Sequence, residues 1–451
     1  MKQLLSLLII CLPFVGLYAQ HEHHGMQKDS SAEQIPSRDT MPQDHDHKHN
    51  GGEMASHAYS MSLPMSRNGS GTGWNPDAVP MYMWMKQKGQ TSWMFHGNIV
   101  LRYTSQDIFS SGSRGGKEFS APNWFMVMMN RKAGKRGLFN ATAMLSIDRL
   151  TDGGNGYPLL FQSGETYKGK PLVDRQHPHD LFSALSVGYT YRVSKQVDIF
   201  AYLGYPGEPA LGAPAFMHRV SSMNNPDAPL GHHWQDATHI TFGTGTLGLR
   251  FGQLKLEGSV FTGREPDEER FGFDKARFDS YSYRLSWNPS ASWALQFSQG
   301  FIQSPEASSP AKNINRTTAS VLFARPTSRT DHLSAAAIWG FNKQDATHKE
   351  HSFLLEGNYQ YRKNAFYSRY EWVQKSPEEL LLPDEYPHGN YNIHAVTAGY
   401  NRSLGAWKGI ELLAGTQMTW YGANRLLDPL YGQRPLSAQV YVQIRPWRHG
   451  K

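Results

Sequence analysis

Cysteine is almost missing from this chain of 451 residues: the single one, Cys11, falls inside a short apolar run at the N-terminus. Disulfide frameworks, cysteine-based zinc sites and thiol catalysis are therefore excluded for everything after that run. Long apolar stretches are missing as well. Beyond the first twenty residues no segment approaches the roughly 18 apolar residues that a helix needs to cross a bilayer, so helical spans are excluded. Charge of one sign does not accumulate either. The 45 Lys and Arg are mixed with 38 Asp and Glu and form no basic stripe, so nucleic acid is not an expected partner. Hydrophobic residues make up only 39%, low for two or three ordinary soluble domains, while aromatics reach 12% and there are 42 glycines.

What is present begins with Met1 to Ala19. Lys2, the apolar run Leu4 to Val15 and the small Ala19 read as a secretory signal peptide, too short for a span. Ile10 before Cys11 is not the small residue that a lipidation site needs, so no lipid anchor is expected. Residues 20–75 have almost no apolar periodicity and are rich in His, Met, Ser, Asp and Gly. Such a stretch buries too little surface to offset its ordering entropy, and a disordered His/Met-rich arm is expected there.

From residue 76 onward the chain reads as a barrel. Sixteen runs of about ten residues alternate apolar and polar side chains, beginning near 92, 122, 136, 180, 196, 237, 254, 277, 293, 316, 331, 350, 366, 392, 407 and 437. Brief links such as Ala133-Gly134-Lys135, Ser194-Lys195 and Gly252-Gln253 follow the even-numbered runs, and longer loops follow the odd ones. That parity predicts an all-β, transmembrane, antiparallel up-and-down barrel of about 16 strands in the outer-membrane lipid, with short periplasmic turns and long external loops. It puts the N-terminal arm in the periplasm. Trp93, Tyr103, Trp287, Trp293, Trp407, Trp420 and Trp447 gather near strand ends, where interfacial girdles are expected.

Alternation assigns the inward faces. In the twelfth run Phe353, Leu355, Tyr359 and Tyr361 oppose Glu356, Asn358 and Gln360. On this reading Lys255, Glu257, Arg284, Glu356, Arg369, Glu371, Glu411 and Arg445 face the lumen as candidate pore-lining residues. Charges of both signs on one wall either cross-brace the barrel or line a watery pore. The sequence leaves an open and a plugged lumen equally available.

Two external loops carry the strongest chemistry. One ends in Asp174-Arg175-Gln176-His177-Pro178-His179-Asp180; the next contains Gly231-His232-His233-Trp234-Gln235-Asp236-Ala237-Thr238-His239. Both open from the hairpin of the fourth and fifth strands, so His177, His179, His232, His233, Asp236 and His239 can converge at one rim. Neutral imidazole binds zinc and copper alike, and Asp174, Asp180 or Asp236 can complete the ligand set. The competing reading is that the same residues hydrogen-bond one another to fold the loops. A third loop, Gly263-Arg264-Glu265-Pro266-Asp267-Glu268-Glu269-Arg270, offers carboxylates for a hard cation or internal pairs on a solvated surface.

The arm is the second candidate metal region, through His21, His23, His24, His45, His47 and His49, with His57 and several methionines beside them. Met81, Met83 and Met85, and Met126, Met128 and Met129, read as lipid-facing or packing residues. His96 and His394 lie on strands near Ser and Asn, but no Gly-x-Ser-x-Gly elbow accompanies them, so no catalytic residue is expected.

The segments Arg175 to Asp180, Gly231 to His233 and Gly263 to Asp267, with Arg316-Thr317-Thr318-Ala319-Ser320, resemble a family of Gram-negative, often Bacteroidetes, outer-membrane proteins in which they recur along the barrel. The resemblance spans roughly Met65 to the C-terminus. It implies an association with copper and other heavy metals and assigns no residue a role. The functional expectation is an outer-membrane channel or transport protein for copper or zinc ions or their complexes, with a periplasmic metal carrier as partner. The alternatives are a non-transporting surface barrel with partner-binding loops and, third, a lipid hydrolase.

Overall fold

The alternating runs become strands because period two sends every second side chain to lipid and the rest inward. The computed structural model describes residues 56–306 and 311–448. The signal peptide over 1–19 and His21, His23, His24, His45, His47 and His49 lie outside the described residues. Sixteen antiparallel strands close into one barrel. They are Thr91–Gln106 (β1), Asn123–Ala133 (β2), Gly137–Leu145 (β3), Phe182–Arg192 (β4), Val197–Gly204 (β5), Thr244–Phe251 (β6), Leu254–Phe261 (β7) and Ser280–Ser290 (β8). Then follow Trp293–Ile302 (β9), Ile314–Pro326 (β10), His332–Lys343 (β11), Lys349–Tyr361 (β12), Asn364–Lys375 (β13), Tyr391–Trp407 (β14), Ile410–Gly422 (β15) and Leu436–Pro446 (β16).

Closure runs through β1. Its upper half pairs with β16, from Ile99↔Ile444 to Ser105↔Ala438, and its lower half with a short strand, Trp84–Lys88. Outward apolar residues such as Leu247, Leu256, Tyr281, Leu285 and Val440 are exposed around the wall, as a lipid-facing belt requires. Short turns and long loops alternate between the rims with one exception. The links 327–331 and 344–348 have equal length, although they lie at opposite rims.

Two segments fill the lumen. Residues 56–75, expected within a disordered arm, are folded inside the barrel; this corrects the boundary of that arm. The expectation counted apolar burial alone, whereas the wall itself supplies partners. Ser60 Oγ donates to Asp198 Oδ2 at 2.5 Å, Arg284 donates to Thr72 Oγ1 at 2.8 Å, and Lys255 donates to the Thr72 carbonyl. The second segment is the loop between β5 and β6, which turns inward instead of standing outside the rim. Its Arg219 donates to Glu356 at 2.9 Å and to Asp236 at 3.0 Å. Its Asp227 accepts from Arg102 on β1 at 2.6 Å and from Gln417 on β15 at 2.6 Å, the two strands that flank β16.

The eight predicted pore-lining residues all face inward and all are buried. Glu257 lies between Lys255 (3.1 Å) and Arg284 (3.0 Å), Arg369 reaches Glu356 at 3.1 Å, and Arg445 reaches Glu411 at 3.1 Å. Glu371 accepts from the Leu230 amide at 2.6 Å. Their charges cross-brace wall and plug. At the long-loop rim a hairpin of Tyr157–Tyr167 and Lys170–Gln176 covers the plug, with Leu159, Leu160 and Phe161 buried beside Leu230, Trp234 and Tyr431.

Candidate metal centre

Three loops build the site under that lid. His177 and His179 flank Pro178 in the extended segment before β4. His232 and His233 open a one-turn helix, His232–Gln235, that Arg316 fixes by donating to the His233 carbonyl at 2.6 Å. The sixth strand, expected from residue 237, begins at Thr244; a 3-10 turn, Ala237–His239, takes its place and brings His239 inward. Ring centroids of His232 lie 6.2 Å from His177, 5.2 Å from His233 and 5.0 Å from His239, and His179 lies 5.7 Å from His239. The five imidazoles surround a small cavity that Glu165, Asp180 and Glu265 also line.

Each ring is held from behind. Nδ1 of His179 meets Asp148 Oδ2 at 2.7 Å, Nδ1 of His233 meets Glu265 Oε1 at 3.3 Å, and Nδ1 of His177 lies 3.2 Å from Glu165 Oε1. His232 Nδ1 meets Asp236 Oδ1, and His239 Nδ1 lies 2.8 Å from the Asp236 carbonyl. A carbonyl oxygen only accepts, so His239 carries its proton on Nδ1 and leaves Nε2 as a lone pair. Carboxylates behind the other rings favour the same tautomer. Nε2 of His177, His179, His233 and His239 is buried with no partner. Ligand nitrogens of His177, His232 and His233 lie within 4.8 Å of one another. A tetrahedral centre with bonds of about 2.0–2.1 Å holds its nitrogens about 3.4 Å apart, so the three rings would have to close in on a bound ion.

Electrostatics keep most of these nitrogens free of protons. Burial drives His177 well below the ordinary imidazole value, helped by the Arg270 guanidinium, and brings His239 down to about 3. Burial also lowers His232, outweighing Asp236. For His179 and His233 burial acts the same way, but Asp148 and Glu265 outweigh it and hold both above the ordinary value. Among the carboxylates, burial raises Glu165 to about 7 and Asp180 to about 6, each against the pull of Arg270. The donor set is imidazole with carboxylate behind it, which suits zinc or copper.

All six loop residues singled out in the sequence thus come together, with different parts to play. Asp236 stands behind His232 and pairs with Arg219 at 3.0 Å, so it orients a ring and does not face the cavity. Asp180 lines the cavity, while Asp174 lies elsewhere, accepting from the Phe161 amide at 2.7 Å. The third loop is solvated at Asp267 and Glu269 but not at its ends. Arg270 is buried and joins Glu165 to Asp180, and Glu265 holds His233. Sequence reasoning missed Asp148 and Glu165, which lie in none of the singled-out segments, and placed Arg270 only as an ion-pair partner within the third loop. Glu165 adopts a φ of +60°, a left-handed conformation that costs a non-glycine residue energy and is held by its surroundings.

Outside the centre, a cavity of about 1130 Å³ opens among the long loops, and Glu165, His233 and Glu265 line both it and the small cavity. Eleven carboxylates face it against five Lys and Arg, so its field favours cations.

No family model matches the chain, and no curated protein is similar to it in sequence. In fold it is similar to a loop-deleted OmpT of Vibrio cholerae, at 6% identity over 79% of this chain and 99% of that one, with a TM-score of 0.47. Salmonella typhi OmpF in complex with daunomycin is similar at 9% identity, over 80% of this chain and 100% of that one, with a TM-score of 0.48. An anion-selective porin from Comamonas acidovorans is similar at 10% identity, over 79% and 99%, with a TM-score of 0.45.

Proposed function

We propose that this chain is an outer-membrane transport protein that takes transition-metal cations, zinc or copper, from the long-loop side into the five-histidine centre. The observation that carries this reading is the shared orientation of the imidazoles. Oxygen atoms hold the Nδ1 edges, and four buried Nε2 atoms without partners are left around one cavity. Loop packing alone gains nothing from leaving such atoms unsatisfied, since each costs about 1–3 kcal/mol when buried without a partner. The filled lumen argues against a general diffusion pore and favours a second reading, a surface barrel that stores the ion without passing it on.

The test uses the full chain in detergent, with the six arm histidines from His21 to His49 changed to Gln. It should bind Zn(II) or Cu(II), and H177A/H233A should weaken that binding by about a hundredfold. Equal affinity in both proteins would remove the metal centre. Metal flux into liposomes then separates transport from storage.

A further inference from the structure

Beneath the histidine centre, toward the short-turn rim, lies a cavity of about 180 Å³ whose lining departs from every other apolar region of the molecule. Met65, Met83, Met94, Met126, Met128 and Met217 line it, with His96 and His218. A smaller adjoining cavity shares Met126, Met128, Met217 and His218 and adds Met144. Nine of the thirteen methionines among the described residues face these two spaces, and no leucine or isoleucine does. Ordinary apolar packing where the plug meets the wall elsewhere uses Leu211 against Phe261, Ile302 and Ile314, so burial alone does not account for the choice of thioether. Met81, Met83, Met126 and Met128, expected as lipid-facing or packing residues, line this cavity.

The placement is continuous with the centre above. His179 lines both the histidine cavity and the larger methionine cavity, and His239 lines both the histidine cavity and the smaller one. The larger cavity continues to Tyr82, Met83 and Met94, close to the turn between Trp84–Lys88 and β1, and to Arg445 near the end of β16. The wall here also lacks the ion pairs of the opposite side. Inward positions on β1 to β3 include Met94, His96, Asn98, Met126, Met128, Asn130, Asn140, Thr142 and Met144, and the charges on this face are Arg102 and, at the short-turn end, Lys132. His96 Nε2 is buried with no partner.

We infer that the methionine-lined cavity is a second binding station for a soft monovalent cation, Cu(I) or Ag(I), continuing the path from the histidine centre toward the short-turn rim. Thioether sulfur and imidazole suit such an ion, and the charged groups at the edge of the larger cavity are one carboxylate, Asp148, against two guanidiniums, Arg219 and Arg445, a balance that does not favour a divalent ion. Imidazole ligates the monovalent ion too, so movement between the stations involves no change of valence. The role of this station as a continuation rests on the proposed histidine centre; its binding chemistry does not.

Ag(I), which is redox-inert, is the probe. In the full chain, M94L/M126L/M128L keeps the cavity apolar and near its native volume, a class of swap that usually costs under about 1.5 kcal/mol. Expected is the loss of about one bound Ag(I) per chain, or at least about tenfold weaker binding at that site, with Zn(II) affinity unchanged. H177A/H233A should do the reverse, weakening Zn(II) and leaving the Ag(I) station filled. X-ray absorption on Ag(I)-loaded wild type should show sulfur neighbours that the leucine variant loses. Wild-type Ag(I) stoichiometry and sulfur signal in a folded leucine variant would overturn the station whatever the histidine variants show. Unchanged Zn(II) binding in H177A/H233A would overturn the histidine centre and leave the station standing alone.

Discussion

Gly164 adopts a φ of +112°, and a Cβ built on it would lie 2.4 Å from Nε2 of His233. Both facts forbid a side chain at the point where the lid hairpin crosses the centre. G164A should therefore push the His233 ring away and strain the backbone, at a cost of about 1–3 kcal/mol. Zinc affinity should drop by about tenfold or more, read by titration, with a lower Tm; wild-type affinity would show that His233 is not a ligand. Glu208 presents a different case. Its Oε1 accepts from Ser70 Oγ at 3.1 Å, pinning the plug loop to the N-terminal segment, and burial pushes its carboxyl up to about 8 despite Arg284. Between the ordinary value of 4.5 and about 8 the folded protein keeps a proton that the unfolded chain gives up. Stability therefore falls as pH rises through that window. E208Q should flatten this part of the Tm-against-pH curve, and an unchanged slope would mean that another group sets it.

At the level of elements, the plug loop is held chiefly through Arg219, whose guanidinium bridges Glu356 on β12 and Asp236 beside the centre. Removing one partner of a buried pair leaves a charge without compensation, so R219A should destabilise by about 3–5 kcal/mol. Hydrogen exchange should speed up across 205–243 while β6 to β11 stay protected; uniform acceleration would mean that loop and wall unfold together. The strands were legible in the sequence because a membrane wall demands a strict period of two, as Phe353, Leu355 and Tyr359 show against Glu356, Asn358 and Gln360. The plug was not. Ser60, Thr72 and Asp227 bury polar groups against polar partners from distant strands, and no local periodicity reports that. The centre was half legible. Its histidines stand close together in sequence, but Glu165, Asp148 and Arg270 enter through loop folding that pairs residues 105 positions apart.

For the whole molecule, the three spaces form a graded series. A wide vestibule rich in carboxylates gives way to a small imidazole-lined cavity and then to thioether, each sharing lining residues with the next. Under the proposed function, such an order would concentrate cations by charge first and select them by ligand softness afterwards. The vestibule acts at long range, so its contribution belongs to the rate of capture and must weaken as salt shortens the Debye length from about 10 Å at 0.1 M to about 3 Å at 1 M. The imidazoles act by contact and are nearly immune to that screening. Stopped-flow capture of Zn(II) should slow by about tenfold between low salt and 1 M, while the release rate changes little. E268Q/E269Q/E378Q, substituted on the vestibule wall away from the His rings, should slow capture at low salt and match wild type at 1 M. A salt-independent capture rate would mean that the carboxylates serve only to order the loops.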